Sequence, residues 1–444
     1  MPLTGDAVVI GAGIAGLAAA RVLSDRFDRV TVLDRDRLPA GADSRRGVPQ
    51  GSQAHVLLAV GREALEKLFP GLTEELVGRG ACWIDIGRDA LTWQLDGYRI
   101  RAETGVSIIS LSRPLLELCV RQRVRVRPNV VIRADAAVAG LTGQPGQRVQ
   151  GVELADGTRL PADLVVDASG RGGRGGRWLS ELGFPAPAES GVTVRVGYTT
   201  RLLRRKPGEL AGNPLVLVAE SPPDRQRFGI VFPIEDDRWL VTLGGFHGEH
   251  APTDPEGYQR FAESLPDQHI ADLMRRAEPL TEPVAHQYPA SRRRGFERLS
   301  LVPAGYLAIG DALCSFNPVY GHGMTVASVE AITLGECLDR HRSTDAAMAR
   351  DFYREAGKIV DVAWDMAIAA DFAYAGTEGR RPRGFTFSNW YLRQVILATH
   401  VSPTVLAAIL RVQHLLDPGS ILLRPPMLAK VLWAARRARR AINS

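Results

Sequence analysis

Runs of apolar residues change their spacing twice within the first 35 residues, and this pattern is the most informative feature of the chain. Residues 6–10 form a short apolar run typical of a buried strand, and residues 17–27 carry apolar side chains at helical spacing. A second apolar run, residues 30–33, leads to Asp34. The pattern predicts a strand, a turn, a helix and a second strand that ends in an acid.

The turn before this helix is rich in glycine. Gly11 permits a tight turn, Gly13 lets the backbone approach a pyrophosphate, and Gly16 lets helix and strand pack closely. The helix N-terminus then presents free N–H groups to the anion, and Asp34, 18 residues after Gly16, can bind the hydroxyls of an adenosine ribose. The sequence therefore predicts a dinucleotide site. Its candidate residues are Gly11, Gly13, Ala15, Gly16, Asp34 and Arg35.

Residues 190–250 alternate with a period of two, which is typical of antiparallel strands. Residues 227–234 and 238–246 flank the turn Glu235-Asp236-Asp237 and predict a hairpin. This sheet is either simply a second core or also the floor of a hydrophobic substrate cavity. One face of its first strand is expected to carry Val192, Val194, Val196 and Tyr198. The cavity candidates are Tyr198, Phe228, Phe232 and Phe246.

Two further apolar runs end in polar, glycine-containing bends, where a ligand crevice is expected at the carboxyl end of a strand. The first run leads to Asp167, and the second leads to Gly310 and Asp311. A loop containing Pro318, Gly321 and Gly323 then precedes a helix expected over residues 324–339. Small residues in this loop let a flat ring approach the backbone, and the helix N-terminus stabilises negative charge.

The last hundred residues are mostly helical in pattern, with helices expected over residues 352–370, 395–415 and 426–442. The last of these combines an apolar stripe with a series of Lys and Arg residues. A basic amphipathic helix either lies on an anionic membrane or packs its stripe against the protein itself. Packing is the more common arrangement, and membrane contact is kept as the alternative.

Composition fits a large globular enzyme, with 444 residues, 45% hydrophobic and 23% charged. The net charge of +6 suits an anionic cofactor, and no zinc spacing, RNP-like aromatic strand or helix-turn-helix pattern supports a nucleic-acid partner. The four cysteines form no C-x-x-C pair, and no metal site is expected. With neither a secretory leader nor a long apolar run, a cytoplasmic location is expected.

Taken together, these stretches resemble the FAD-binding signature of the group A flavin monooxygenases, which share the p-hydroxybenzoate hydroxylase fold. The resemblance covers roughly residues 5–345. Gly11, Gly13, Gly16 and Asp34 match the nucleotide fingerprint of the family, and Gly310-Asp311 matches the motif whose aspartate binds the ribityl chain. The residues that match the loop beside the isoalloxazine are Pro318, Gly321, His322, Gly323 and Met324.

Three other segments extend the resemblance. Arg113 resembles the arginine that family members place near the FAD phosphates and the ribityl chain. Asp167 and Gly170 resemble an Asp-Gly motif associated with FAD and NAD(P)H, but Ala168-Ser169 separate them here, so the sequence departs from the family at that point. Residues 314–325 and 47–55 are similar to the bacterial polyene and polyether epoxidases and to squalene epoxidase.

The resemblance implies an α/β fold with three parts: a Rossmann-like FAD-binding domain of the GR2 type, an inserted antiparallel β-sheet substrate domain, and a helical C-terminal region. Residues 1–80, 112–185 and 291–345 are assigned to the FAD-binding domain. Residues 81–111 and 186–290 are assigned to the substrate domain, and residues 346–444 to the C-terminal region.

The resemblance also implies FAD as cofactor, NAD(P)H as reductant and O₂ as the source of oxygen, which a flavin C4a-hydroperoxide passes to the substrate. The expected substrate is a large hydrophobic polyene, polyketide or isoprenoid intermediate of natural-product biosynthesis. No His/Asp constellation for activating a phenol is visible in the sequence, which favours epoxidation of an alkene over hydroxylation. Flavin halogenases share the fold, but their Trp-x-Trp-x-Ile motif is absent from the sequence.

Two other function classes stay open: an FAD-dependent isoprenoid reductase and a non-redox cyclase in which FAD only shapes the pocket. A separate flavin reductase is an alternative source of electrons. His322 is the one catalytic candidate among the side chains because it adjoins the flavin loop, although His322 and His55 also fit loop histidines bonded to backbone. Arg45 and Arg46 fit either an FAD contact or surface charge.

Overall fold

The computed structural model of the protein describes residues 4–45, 47–48 and 51–442. Arg46 lies outside the described residues, as do Pro49 and Gln50 of the segment 47–55. The strand–helix–strand unit predicted at the start of the chain is confirmed: Asp6–Ile10 and Arg29–Leu33 pair in parallel, and the helix Ile14–Ser24 connects them.

The first large unit is built on a five-stranded parallel sheet, called here the nucleotide sheet. Its strands are, in spatial order, Tyr306–Ala308, Leu164–Asp167, Asp6–Ile10, Arg29–Leu33 and Val130–Arg133. The strands are apolar because helices cover the sheet, and Val9, Val32 and Val166 have no exposed surface. The carboxyl ends of strands from distant parts of the chain therefore meet on one side of the sheet. Asp167 is the last residue of its strand there, and Gly11, Asp34 and Asp311 come after theirs.

A three-stranded antiparallel sheet lies beside this unit and consists of Arg159–Pro161, Arg148–Leu154 and Val138–Gln144. The hairpin between the strands Arg148–Leu154 and Arg159–Pro161 turns at Asp156-Gly157. A two-stranded sheet pairs Cys82–Asp85 with Ser107–Ser110.

The second large unit is an eight-stranded sheet, called here the large sheet. Its strands are, in spatial order, Cys314–Ser315, Val284–Arg294, Glu189–Arg204, Arg238–Gly245, Arg227–Ile234, Leu215–Val218, Ala90–Gln94 and Gly97–Tyr98. All neighbours are antiparallel except Leu215–Val218 and Ala90–Gln94. The predicted hairpin is confirmed, with Ile234 paired to Arg238 across the turn.

Thirteen α-helices occur in the described part of the chain. They are Ile14–Ser24, Ala59–Leu68, Leu72–Gly78, Ile86–Asp89, Arg113–Arg125, Gly175–Glu181, Pro255–Glu263, His269–Arg276, His322–His341, Ala346–Asp371, Phe385–Ala398, Pro403–Gln413 and Pro425–Ile442. Short 3₁₀ helices are Glu209–Gly212, Phe296–Arg298, Gly310–Ala312, Pro318–Tyr320 and Gly419–Leu423. None of the helices in these residues is long and apolar enough to span a bilayer.

The structure corrects two local predictions. The single helix expected over residues 395–415 is two helices, because Ser402 caps a new helix through its side chain and Pro403 occupies the first turn. The alternation from Val192 to Tyr198 is interrupted by a bulge at Arg195, where φ is +46°. The expected single face is also divided between two cores: Val194, Val196 and Tyr198 share one cluster, whereas Val192 packs into the main core.

Candidate functional site

The glycine turn at the start of the first helix is held by close backbone contacts. Gly11 has φ of +104° and donates its N–H to the carbonyl of Leu33 at 2.7 Å. A Cβ on Gly16 would lie only 1.8 Å from the carbonyl oxygen of Gly11. The turn therefore tolerates no side chain at these positions, which agrees with the tasks that the sequence assigns to them.

Gly13 differs from these two glycines because space is open in front of it. It is the N-cap of the helix Ile14–Ser24, and a Cβ there would lie 3.9 Å from Arg45 Nη2 and 4.0 Å from Arg113 Nη2. Two guanidinium groups thus approach a helix N-terminus from the side that faces Gly13. The free N–H groups of the helix and both cations are the donors that a pyrophosphate requires.

Arg113 itself is incompletely paired. Its Nε is buried and has no hydrogen-bond partner among the described residues, and the nearest carboxylate, Glu117, is 3.6 Å from Nη2. Burial lowers the pKa of this guanidinium, and the charge of Glu117 opposes the shift. Ser112 caps the helix that contains Arg113, since its side chain accepts the N–H of Leu115. A buried cation with a free donor fits an anionic ligand, so the residues present fit the pyrophosphate of FAD.

The carboxylate of Asp34 is already occupied by protein donors. It accepts the N–H of Ala12 at 2.7 Å and of Asp36 at 2.9 Å, and Arg45 Nη1 lies 3.0 and 3.1 Å from its two oxygens. Arg45 also binds Glu117 at 2.6 Å, so it joins two buried acids. A ribose at Asp34 would replace or share the Arg45 contact. Arg35, the predicted cofactor-binding residue next to Asp34, is exposed to solvent.

The turn that carries Asp311 lies directly against this glycine turn. A Cβ on Gly310, where φ is +59°, would lie 2.8 Å from the Cβ of Ala15, which places the two predicted FAD motifs side by side. Glu330 accepts the N–H of Gly310 at 2.6 Å through Oε2. Glu330 has no exposed surface and was not anticipated from the sequence, because its partner is a backbone group 20 residues away.

Asp311 points towards the start of the helix His322–His341. Its Oδ1 would lie 3.6 Å from a Cβ placed on Gly323, and no described residue donates a hydrogen bond to its carboxylate. Burial raises the pKa of this carboxyl, and the charges of Arg113, Arg171 and Arg294 oppose the shift. A carboxylate without protein donors, close to a helix N-terminus, suits the hydroxyls of a ribityl chain.

The loop after Asp311 forms a short 3₁₀ helix, Pro318–Tyr320, and ends at Gly321 with φ of +69°. Asn317 caps this helix by accepting the N–H of Val319 at 3.2 Å. Its side-chain amide also donates to Asp371 at 2.7 Å. The loop that was matched to the isoalloxazine is therefore tied to the end of the long helix Ala346–Asp371.

Asp371 and Tyr320 form an acid–base pair that the sequence did not suggest. The hydroxyl of Tyr320 donates to Asp371 Oδ1 at 2.9 Å, while Oδ2 is buried and has no partner among the described residues. Asp371 has no exposed surface, and burial raises its pKa to about 7, partly opposed by the hydrogen bonds from Asn317 and Tyr320. A carboxyl of this kind can hold or release a proton near neutral pH.

An aromatic cluster of the large sheet packs against the same loop. It consists of Val194, Val196, Tyr198, Phe228, Phe246 and Tyr374, and Val319 of the loop contacts it. The rings of Phe246 and Tyr374 stack with centroids 4.4 Å apart, and Phe228 meets Phe246 edge-on at 6.0 Å. The hydroxyl of Tyr374 is buried without a partner in the described part of the chain. Three of the four predicted cavity residues are thus brought together.

Phe232, the fourth cavity candidate, packs elsewhere. It lies on the same strand as Phe228 but four residues further along, and it belongs to a cluster with Ile84, Ile108 and Leu240. Residues four apart on a strand share a face but lie about 13 Å apart. Phe232 is therefore not brought to the aromatic cluster with the other three candidates.

The comparisons with known proteins can now be set beside this geometry. A model of the FAD dependent oxidoreductase family matches residues 6–97. The chain is 32% identical to Protein Rv3254 of Mycobacterium tuberculosis, over 96% of this chain and 93% of that protein. It is 26% identical to a kynurenine 3-monooxygenase of Salinispora arenicola, over 82% of this chain and 78% of that protein. The chain belongs to the FAD-dependent monooxygenases of the p-hydroxybenzoate hydroxylase group.

Solved structures of this group have the same fold. PqsL of Pseudomonas aeruginosa superposes with a TM-score of 0.61 at 18% identity, over 83% of this chain and 97% of that chain. The α/β fold expected from the sequence, with an FAD-binding unit, an antiparallel sheet and C-terminal helices, is confirmed. The cofactor of this monooxygenase is FAD, and NAD(P)H is the usual reductant of the group.

The histidines near the site of this monooxygenase are neutral at physiological pH. Burial lowers the pKa of His322 to about 4, and its Nδ1 has no partner among the described residues. Burial also lowers the pKa of His55 to about 3, and its Nδ1 donates to the carbonyl of Gln53 at 2.9 Å. A pKa this low makes either imidazole a poor proton donor at pH 7, and a catalytic role for His322 stays a prediction.

The sequence departs from the family motif at residues 167–170, and the carboxylate that begins this segment lies in the protein interior. Asp167 is buried and accepts the N–H of Ser169 at 2.9 Å and the hydroxyl of Tyr306 at 2.9 Å. Its carboxylate therefore stabilises the bend that follows its own strand. Arg171, at the end of that bend, lies over the ring of Tyr288 with its guanidinium carbon 4.4 Å from the centroid.

Proposed function

We propose that this FAD-dependent monooxygenase inserts one oxygen atom of O₂ into a large hydrophobic substrate, such as a polyene, polyketide or isoprenoid intermediate. The observation that supports this proposal is the aromatic cluster of Tyr198, Phe228, Phe246 and Tyr374 beside the loop 317–321. Aromatic rings gathered beside this loop are the apolar side chains that line a pocket for a hydrophobic molecule. The reactive ring of FAD is expected along the same loop.

The FAD itself is assigned to the edge of the nucleotide sheet. The N-terminus of the helix Ile14–Ser24 with Arg45 and Arg113 would hold the pyrophosphate, Asp34 the ribose, and Asp311 the ribityl chain. When bound and reduced by NAD(P)H, FAD supplies the activation of O₂. The chain contributes placement: Gly310 and Glu330 fix the position of Asp311, and Asn317 fixes the loop beside the ring.

Water is excluded from this region by the same side chains. Phe246 and Tyr374 are buried, and Asp371 behind them has no exposed surface. A dry pocket limits the unproductive loss of activated oxygen as H₂O₂. The proposal therefore requires that the aromatic cluster close over the substrate rather than leave it in contact with solvent.

Hydroxylation of a substrate with an ionisable hydroxyl group is a second candidate reaction. The sequence favours alkene epoxidation over hydroxylation only because it shows no His/Asp constellation that could activate a phenol. The Asp371–Tyr320 pair supplies such a group: a substrate hydroxyl would lose its proton to the oxygen of Tyr320 while the Tyr320 proton moves to Asp371 Oδ1. The negative charge of the carboxylate then resides on the substrate oxygen, which activates a phenol or enol ring.

The experiment that tests the proposal is incubation of the FAD-loaded protein with NAD(P)H, a flavin reductase where needed, and ¹⁸O₂. The substrates are a panel of linear polyenes, isoprenoids and phenolic polyketides, and products are read by mass spectrometry. The proposal expects one ¹⁸O atom in the product. A product that gains only hydrogen supports the isoprenoid reductase instead, and a product of unchanged mass supports the non-redox cyclase.

A further inference from the structure

The positive charge of the chain is concentrated at its C-terminal end. Residues 380–442 contain eleven Lys or Arg residues and one acidic residue, Asp417, whereas the rest of the chain contains 44 basic and 48 acidic residues. The net charge of +6 therefore arises entirely in the C-terminal helices, and the body of the protein is weakly acidic. Such an asymmetry indicates an anionic partner for this end of the molecule.

The structure shows where the apolar stripe of the last helix lies, which the sequence left open between a membrane and the protein itself. Pro425–Ile442 buries a stripe of small side chains, Val431, Ala434, Ala435 and Ala438. This stripe packs mainly against the helix Phe385–Ala398, and Arg439 donates to Gln394 across the contact. The apolar stripe thus packs against the protein itself, as the more common arrangement predicts. The outward positions carry Lys430, Trp433, Arg436, Arg437 and Arg440, all exposed.

Large aromatic side chains are exposed among these charges. Trp433 is 61% exposed, Phe387 58% and Trp390 49%, and the rings of Phe387 and Trp390 are 5.9 Å apart. Leu423, just before the last helix, is 51% exposed. In the described part of the chain only one other Trp or Phe is comparably exposed, Trp83. Packing against the protein therefore leaves about half or more of each of these rings exposed.

We propose that these helices form a docking surface for an anionic membrane. The docking surface is defined as Phe387, Trp390, Leu423 and Trp433 together with Arg393, Arg424, Lys430, Arg436, Arg437 and Arg440. Trp and Phe lie at the headgroup boundary of a bilayer, and Lys and Arg bind anionic headgroups beside them. The contact is peripheral, which agrees with the lack of a membrane-spanning helix in the described residues. This inference does not depend on the identity of the substrate.

Lipid fits the docking surface better than nucleic acid does. Leu423 and Phe387 offer apolar surface that enters an acyl boundary, whereas a nucleic-acid groove uses bases stacked on rings along a continuous backbone track. The guanidinium of Arg437 lies 5.8 Å from the ring centroid of Trp433, so charge and ring act at one place.

The test is sedimentation of the FAD-loaded full chain with vesicles of phosphatidylcholine alone and of phosphatidylcholine mixed with phosphatidylglycerol. We expect binding only to the vesicles with phosphatidylglycerol, weakening as salt rises. The pair Trp390→Ala and Trp433→Ala should lower the partition coefficient about tenfold, whereas Trp83→Ala, an equally exposed tryptophan elsewhere, should leave it unchanged. Changing Arg436, Arg437 and Arg440 together to Gln should also lower the partition coefficient about tenfold. The control, Arg159→Gln with Arg177→Gln, removes exposed charges outside the docking surface and should leave the partition coefficient unchanged.

Three results would overturn the inference. The first is no binding to anionic vesicles by protein that retains FAD absorbance and its melting temperature. The second is equal loss of binding in the Trp83→Ala control and in the docking-surface variants. The third is displacement of the protein from vesicles by single-stranded DNA at equal charge, together with tighter binding to the DNA, which would assign the docking surface to nucleic acid.

Discussion

The carboxylate of Glu330 and the backbone N–H of Gly310 meet at 2.6 Å in the interior of the protein. Glu330 lies on the helix His322–His341, and Gly310 begins the turn that carries Asp311. The helix that follows the loop 317–321 and the turn proposed to bind the ribityl chain therefore hold each other in place. The other oxygen of Glu330 is buried without a partner among the described residues.

Replacing Glu330 separates its two properties, the hydrogen bond and the ionisable group. Glu330→Ala leaves the Gly310 N–H buried and unpaired, which should cost about 1–3 kcal/mol of unfolding free energy and weaken FAD binding. Glu330→Gln keeps an acceptor and should retain both. Urea unfolding and fluorescence titration with FAD measure the two effects. Equal FAD affinity in the Ala variant and the parent protein would contradict the assigned role of the turn.

The pH dependence of stability should also change with this residue. Burial raises the pKa of the Glu330 carboxyl from 4.5 to about 8. As pH rises, Glu330 therefore loses its proton in the unfolded chain before it does so in the folded protein. Its contribution to the free energy of unfolding is complete below pH 4.5, falls as pH rises and is lost by about pH 8. Glu330→Gln should have a flatter profile across this window. A parallel loss of stability in the Gln variant would contradict the raised pKa.

Two glycines of the first turn, Gly13 and Gly16, should respond differently to alanine. Gly13→Ala leaves the fold intact, because its Cβ would meet nothing closer than 3.9 Å, but should weaken FAD binding at least tenfold by blocking the pyrophosphate. Gly16→Ala should destabilise the fold itself, since its Cβ would overlap the Gly11 carbonyl. Gly172→Ala, with open space around it, is the control. Circular dichroism and FAD titration distinguish the three outcomes.

Asp371 and Tyr320 should control the turnover of a substrate that carries an ionisable hydroxyl group. With a pKa of about 7, Asp371 is protonated below that pH and accepts a proton above it, so kcat/KM should rise between about pH 6 and about pH 8. Asp371→Asn and Tyr320→Phe should abolish this rise. Turnover of an alkene without a hydroxyl group should depend little on either residue. An unchanged pH profile in Asp371→Asn would exclude the pair from proton transfer.

Two phenylalanines of one hairpin allow a matched test of the substrate cluster. Phe246→Leu and Phe232→Leu both reduce the volume of a buried ring, and each should cost about 1–3 kcal/mol of stability. Phe246→Leu should also raise the KM of a hydrophobic substrate about tenfold, because Phe246 stacks on Tyr374 beside the loop. Phe232→Leu should leave KM unchanged. The reverse order of effects would place the substrate at the other end of the sheet.

Local spacing was sufficient to predict the nucleotide turn and the strands that lead to it. Gly11, Gly16 and Asp34 lie within one strand–helix–strand unit, so their tasks follow from short-range geometry. The break at Ser402 and Pro403 was also readable in principle, since a capping residue before proline starts a helix. Helical periodicity on both sides of it concealed the break.

The parts that could not be predicted depend on contacts between distant segments. Tyr320 and Asp371 are 51 residues apart, and only the packing of the helix Ala346–Asp371 against the loop brings them together. Glu330 reads as an ordinary helical residue until its partner, a backbone N–H, is known. Periodicity placed Phe232 and Phe246 on the large sheet, but it did not show which end of the sheet faces the FAD site.

The central claim is that the chain binds FAD at the edge of the nucleotide sheet and accepts electrons on it for reaction with O₂. The most direct test is an anaerobic absorption titration of the FAD-loaded protein with NADPH and NADH, with Gly13→Ala as the matched variant. We expect equimolar FAD in the parent protein, bleaching of its visible absorption by a nicotinamide, and no retained flavin in Gly13→Ala. A folded parent protein that takes up no FAD would contradict the account.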